Sequence, residues 1–234
     1  MAIMKRLEAP GFWPIEKKTK KYTVAIEPGP HSARSAFTIA IAIRDVLKHA
    51  ETLAEVREIL ASRTVKVNGT TRKEPGFPIG LMDVLTIGSE NYRVLPARRG
   101  LRFQPIAEKE AQFTLKKILN KAVVKGGRVQ LQLHDGSTML VDGKFRTGDV
   151  VMLDSGTRAI RDTLKQEKGA HVIVIKGNNK GSVGMLDDIK IVSSPEPNIA
   201  QISAGDRKIT LPLGYIFVIG RAESVISVGG ENGE

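Results

Sequence analysis

The chain of 234 residues contains no cysteine. That absence excludes disulfide staples, thiolate zinc sites and cysteine nucleophiles, and it fits a reducing, cytosolic setting. Histidine is scarce as well. His31, His49, His134 and His171 lie far apart and show neither the close spacing of a helical metal site nor a nucleophile elbow, so each is expected at the surface or facing a polyanion. Long apolar runs are also missing. The longest, Ala36–Ile43, is interrupted by Thr38 and falls far short of the ~18 residues that span a bilayer. No signal-peptide core precedes it, so the sequence predicts a soluble intracellular protein. The one paired-carboxylate motif, Asp187-Asp188, follows Met185-Leu186 and reads as a solvated turn between strands rather than as catalytic machinery. No catalytic residue, metal site, cofactor or small-molecule substrate is predicted.

What is present is positive charge. Lys and Arg number 36 against 25 Asp and Glu, a formal charge of +11. Such a balance favours a polyanionic partner over mere solubility. The surplus is uneven. Residues 1–110 carry 19 basic and 12 acidic groups, residues 111–168 carry 11 and 6, and residues 169–234 carry 6 and 7. Any polyanion footprint is therefore expected in the first two thirds.

The chain is long enough for two or three small domains. Residues 1–36 read as a basic extension, rich in Lys and Pro and without sustained periodicity. Phe12, Trp13 and Tyr22 interleave with its cations; for Trp13, an anchor packed on a neighbouring domain is favoured over a ring that stacks on bases. From Ser35 to about His49 the pattern is helical, with Phe37, Ile39, Ile41, Ile43 and Leu47 on a wide apolar face. Thr52, with Glu55 three residues on, predicts a capping box opening a second helix that turns Leu53, Val56, Ile59 and Leu60 inward and Arg57 and Glu58 outward. Val65-Lys66-Val67-Asn68-Gly69 predicts a strand entering a tight hairpin, and Asp83–Ile87 a further strand, closing a two-helix and small-sheet unit near Leu95. Pro96–Arg102 reads as a basic linker, and Ala107–Phe113 as a short helix. Strands are expected at 128–134 and 138–141, then at 172–175, 183–185, 189–192, 209–211 and 215–219. The fold class is thus α+β and multidomain: an extension over 1–36, a helix–sheet unit over 37–95, a central β-rich unit over 96–168 and a final β-rich unit over 169–234, the last two barrel-like.

One constellation is a candidate binding surface. Arg57, Arg63, Lys66, Arg72 and Lys73 recur around a helix end and a hairpin, where their cations are expected to converge on RNA phosphates, with Asn68 and Arg63 adding hydrogen bonds to sugars or base edges. On spacing alone, solvated charges on ordinary helices and turns remain an equal alternative. The stretches Leu53–Leu60, Arg63–Gly69 and Asp83–Ile87 resemble the alpha-L RNA-binding motif, with Arg63-Thr64 standing where that motif often has Gly. The stretch Gly169–Met185 fails the nucleotide-loop pattern, because Lys180 precedes Gly181 rather than following it. It resembles instead the KOW motif of ribosomal proteins and elongation factors, in which glycines shape a loop of an SH3-like barrel; a purely structural β-turn is the alternative.

Taken in order, Lys5-Arg6-Leu7, Gly29-Pro30-His31-Ser32, these two motifs and the terminal Leu211–Gly220 resemble the archaeal and eukaryotic ribosomal protein family called eS-four. The resemblance implies a non-catalytic constituent of the small ribosomal subunit in the cytoplasm, with ribosomal RNA and neighbouring ribosomal proteins as partners and no membrane. The residues expected to bind RNA are Lys5, Arg6, Lys17, Lys18, Lys20, Lys21, Arg44, Lys48, Arg57, Arg63, Lys66, Asn68, Arg72, Lys73, Arg98, Arg99, Arg102, Lys176 and Lys180. Two other classes stay open at this point: an RNA-modifying enzyme or its accessory chain, the enzyme itself needing a catalytic domain of some 150 residues or more, and a KOW-type transcription elongation factor.

Overall fold

The computed structural model describes residues 3–124, 126–193, 195–205 and 207–229. The chain is mostly β-strand and divides into two compact units: Met1–Leu95 with Arg99–Thr114 and Ser155–Thr157, and Pro96–Arg98 with Leu115–Asp154 and Arg158–Glu234.

In the first unit, local chemistry sets the elements that carry the candidate surface. Thr52 caps the helix Leu53–Ala61 by accepting from the Glu55 amide at 3.3 Å, and the Glu55 carboxylate reaches back to the Glu51 amide at 2.8 Å. Val56 and Leu60 are buried in one apolar cluster with Val65, Val67 and Leu85. The helix therefore lies on the face of the sheet to which Val65 and Val67 point. That sheet has the strand order Thr70–Thr71, Val65–Val67, Val84–Ile87, Glu90–Ala97 and Gly100–Pro105. Asn68 and Gly69, at φ of 50° and 76°, make the left-handed two-residue turn that joins the first hairpin.

The expected helix over 35–49 is shorter and irregular. Phe37–Thr38 pairs as a strand with Pro78–Ile79, Thr38 caps Ile39–Ile41, and the last stretch, Ala42–Val46, widens to a π-helix. Strand pairing thus takes the first residues of a pattern that reads as helical throughout. The basic linker is also corrected: Arg98 and Arg99 form the turn of a hairpin between Glu90–Ala97 and Gly100–Pro105. Residues 1–36 contribute to packing, since Ile3–Lys5 pairs with Tyr22–Val24 and Trp13 is buried with Ala9, Phe37 and Ile41. Its indole N–H donates to the Ala36 carbonyl at 2.9 Å, which is the anchoring role.

The second unit holds two five-stranded antiparallel sheets. One has the order Thr138–Val141, Val129–Leu133, Phe113–Val123, Val150–Asp154 and Ile160–Leu164; the other has Arg207–Pro212, Ile199–Ala204, Val183–Lys190, His171–Val174 and Ile216–Gly220. The expected turn at Asp187-Asp188 is instead a bulge inside the single strand Val183–Lys190, where the register shifts between Leu186 and Asp188. The helix expected over 107–113 is confined to Glu108–Ala111, and the chain then extends into a long strand.

Candidate nucleic-acid interface

The cations around the helix and hairpin do not all share a face. Lys66 is exposed between buried Val65 and Val67, so it stands on the sheet face opposite the helix. Arg57 lies on the outer, solvated side of the helix. Helix and sheet therefore separate Arg57 from Lys66 and correct the expectation that the two converge. Arg63 is exposed in the loop after the helix, held at φ 58°, a left-handed conformation that ends the helix and re-aims the chain into the strand. Lys73 is exposed beyond the returning strand, while Arg72 is half-buried with its guanidinium 4.1 Å from the centroid of the Phe77 ring.

Asn68 departs from its expected role. Its side-chain oxygen accepts from the Val84 amide at 2.8 Å, and its side-chain nitrogen donates to Asp83 at 2.7 Å. Both ends of the amide are committed to the fold. Asp83 is the hub beneath the turn, also accepting from the Gly80 amide at 2.9 Å and lying 2.9 Å from His31 Nε2. Burial alone would raise the Asp83 carboxyl; the His31 charge and these donors outweigh it and hold the group below the usual carboxylate range. His31 is therefore an interior partner, not a surface histidine, and Gly80 leaves the space its ring occupies. His49 remains near the surface beside Glu90, and His134 and His171 are half-buried.

The other predicted cations differ in availability. Arg6 is buried, its guanidinium donating to the Glu16 carbonyl at 2.6 Å and the Thr19 hydroxyl at 2.8 Å, so it shapes the N-terminal loop instead of reaching a polyanion. Arg44 is half-buried and forked onto Asp45, and Lys17 donates to the Ala9 carbonyl at 3.3 Å. Lys5, Lys18, Lys20, Lys21, Lys48, Arg98 and Arg99 are exposed, and Arg102 is half-buried. In the second unit, Lys176 is exposed at the turn after His171–Val174, whereas Lys180 is half-buried and its pKa is lowered by desolvation.

Sequence reasoning missed Lys117. Its ammonium is buried and donates to the Ile216 carbonyl at 2.7 Å; burial, with Lys176 nearby, pushes its pKa down to about 8. A lysine inside an alternating strand gives only the faint signal of a cation at an inward position. Among the described residues, no cluster of three or more His, Cys, Asp or Glu is placed to hold a metal ion, and no helix is long and apolar enough to cross a membrane.

Comparison with known proteins identifies the family. The RS4NT domain matches residues 4–34 and the ribosomal family S4e matches residues 88–160. The small ribosomal subunit protein eS4 of Methanothermobacter thermautotrophicus is 44% identical over 98% of this chain and 99% of its own length. That of Archaeoglobus fulgidus is 37% identical over 96% and 97%. The crystal structure of the 30S ribosomal protein S4e from Thermoplasma acidophilum superposes with a TM-score of 0.70 at 29% identity, covering 80% of this chain and 96% of that one. With such identity sustained from end to end, the chain belongs to the eS4 family of small ribosomal subunit proteins.

Proposed function

We propose that this chain is a structural, non-catalytic constituent of the small subunit of the cytoplasmic ribosome, seated on ribosomal RNA beside neighbouring ribosomal proteins. The observation that carries the reading is the near-full-length identity to eS4 proteins. The exposed cations Arg63, Lys66, Lys73, Arg98 and Arg99, presented by ordered turns and strands, support it chemically. In this reading, residues 37–95 are an alpha-L RNA-binding unit, 96–168 a central β-rich unit and 169–234 a KOW-containing, SH3-like unit, with 1–36 as a basic extension. An RNA-modifying enzyme or an elongation factor has no support among these relatives.

Expression of a tagged chain and sedimentation of the lysate tests the proposal. The tag should travel with the small subunit, and crosslinked RNA should map to one region of small-subunit ribosomal RNA. Co-sedimentation with RNA polymerase would overturn the assignment. RNA affinity should also fall with salt: if about six phosphates are neutralised, the log–log slope is about −4 to −5, and a flat response would reject the electrostatic account.

A further inference from the structure

The aromatic side chains are nearly all committed to packing. Trp13, Phe37, Phe77, Phe113 and Phe217 are buried, and the other rings are half-buried, with one exception. Tyr22 is the only aromatic residue among the described residues that is exposed, at 52%. It sits on a strand whose next two residues, Thr23 and Val24, are buried, so the backbone that presents the ring is fixed while the ring itself faces solvent.

The surroundings of this ring are cationic and held in place. Lys5 is its cross-strand partner, and the Lys21 ammonium lies 5.3 Å from the ring centroid. Lys18 and Lys20 are exposed on the same short loop. That loop is tied down by the buried Arg6 guanidinium, which holds the Glu16 carbonyl and the Thr19 hydroxyl, and by the Arg6 amide donating to the Lys21 carbonyl at 3.1 Å. Ile3 and Leu7 are also exposed in this segment, so some apolar surface lies near the ring. Residues 3–24 nevertheless carry six Lys or Arg against two Glu, and that charge favours a polyanion that also offers a flat π-face over an apolar protein partner.

Resting on the RNA-binding reading above, we propose that Tyr22 is a stacking platform for an unpaired RNA base, with Lys5 and Lys21 holding the flanking phosphates. The hairpin Ile3–Lys5/Tyr22–Val24 and the Arg6-pinned loop preorganise this subsite, so the base meets a ring already in place. Along an A-form duplex the bases are stacked inside, so only the two blunt ends present a free π-face to the ring. The subsite therefore distinguishes single-stranded from duplex RNA, which the cations alone do not.

The test uses the full chain, its Tyr22→Ala and Tyr22→Phe variants, and two probes with equal numbers of phosphates: a short oligoadenylate and a blunt RNA duplex, at one salt concentration. Tyr22→Ala should weaken oligoadenylate binding by about 5- to 100-fold, Tyr22→Phe should keep it within about 2-fold, and neither should change duplex binding or the melting temperature. Equal loss on both probes, no loss on either, or the same loss with Tyr22→Phe as with Tyr22→Ala would overturn the proposal. Loss of a neighbouring protein from reconstituted subunits with both RNA affinities intact would assign the ring to a protein contact instead, which also overturns it. If the unmodified chain bound neither probe, the RNA-binding reading itself would fall, an outcome distinct from failure of the stacking site alone.

Discussion

The two units bury different ionic groups. The first unit buries complementary pairs, His31 with Asp83 and Arg93 with Glu110, and leaves Lys66, Lys73 and Arg63 exposed without an ion-pair partner among the described residues. The second unit sets some of its surface cations against carboxylates, as in Lys168–Asp188, Arg161–Asp154 and Arg221–Asp162, leaves others such as Lys176 exposed, and buries one ammonium, Lys117, that donates to backbone carbonyls. Net charge per segment is therefore a poor map of a polyanion footprint. A cation already opposed by a carboxylate must give up that partner before it meets a phosphate, whereas a free one does not.

Removing a buried partner should produce the largest effect. Arg93 is fully buried and donates to the Glu110 carboxylate at 3.1 Å and to the Glu110 and Phe113 carbonyls at 2.9 and 3.1 Å. Arg93→Met would remove the cation that opposes this nearly buried carboxylate, at a cost of about 3–5 kcal/mol. The only tryptophan, Trp13, is buried in the same unit, so its fluorescence during urea unfolding reads this loss directly. A shift under about 1 kcal/mol would show the pair to be dispensable and would erase the contrast between the units.

Lys117 should give an intermediate effect of distinctive sign. Its folded pKa of about 8 lies below the ordinary value of 10.5, so the unfolded chain binds this proton more tightly. The unfavourable contribution is complete below about pH 8 and is relieved as pH rises towards 10.5. The second unit should gain on the order of 3 kcal/mol across that window from this group. Urea unfolding followed by circular dichroism should show less of this gain in Lys117→Met than in the unmodified chain. Identical pH profiles for the two proteins would mean that Lys117 keeps an ordinary pKa.

Some of this arrangement is legible in the sequence. The capping box at Thr52 and Glu55, the Val65–Gly69 hairpin and the outward Lys66 all follow from neighbours within a few residues, where helix caps and left-handed turns are decided. Features set by distant partners are not legible. His31 reads as exposed because nothing near it announces Asp83, and Arg6 reads as a free cation because its acceptors lie across a loop. Asp187-Asp188 reads as a turn because a bulge that carries two carboxylates outward has the same local composition. The strand Phe113–Val123 is hidden by Lys116 and Lys117, one paired with Asp135 and the other buried, so that its alternation is broken on both faces.

The smallest effect on the fold should be the most telling for function. Lys66 and Arg221 are both exposed cations, and replacing either with Ala should move stability by no more than about 0.5 kcal/mol. Their partners differ: Arg221 forks onto both oxygens of Asp162 at 2.9 and 3.0 Å, whereas Lys66 has no such opponent among the described residues. If free charge rather than net charge defines the footprint, Lys66→Ala should weaken binding to small-subunit ribosomal RNA and reduce the magnitude of the salt slope by about 1. Arg221→Ala should leave both affinity and slope unchanged. Melting curves and RNA titrations over a salt series read the two quantities on the same samples. Equal losses from the two substitutions would show that a carboxylate partner does not remove a cation from the interface, and the contrast between the units would then carry no functional meaning.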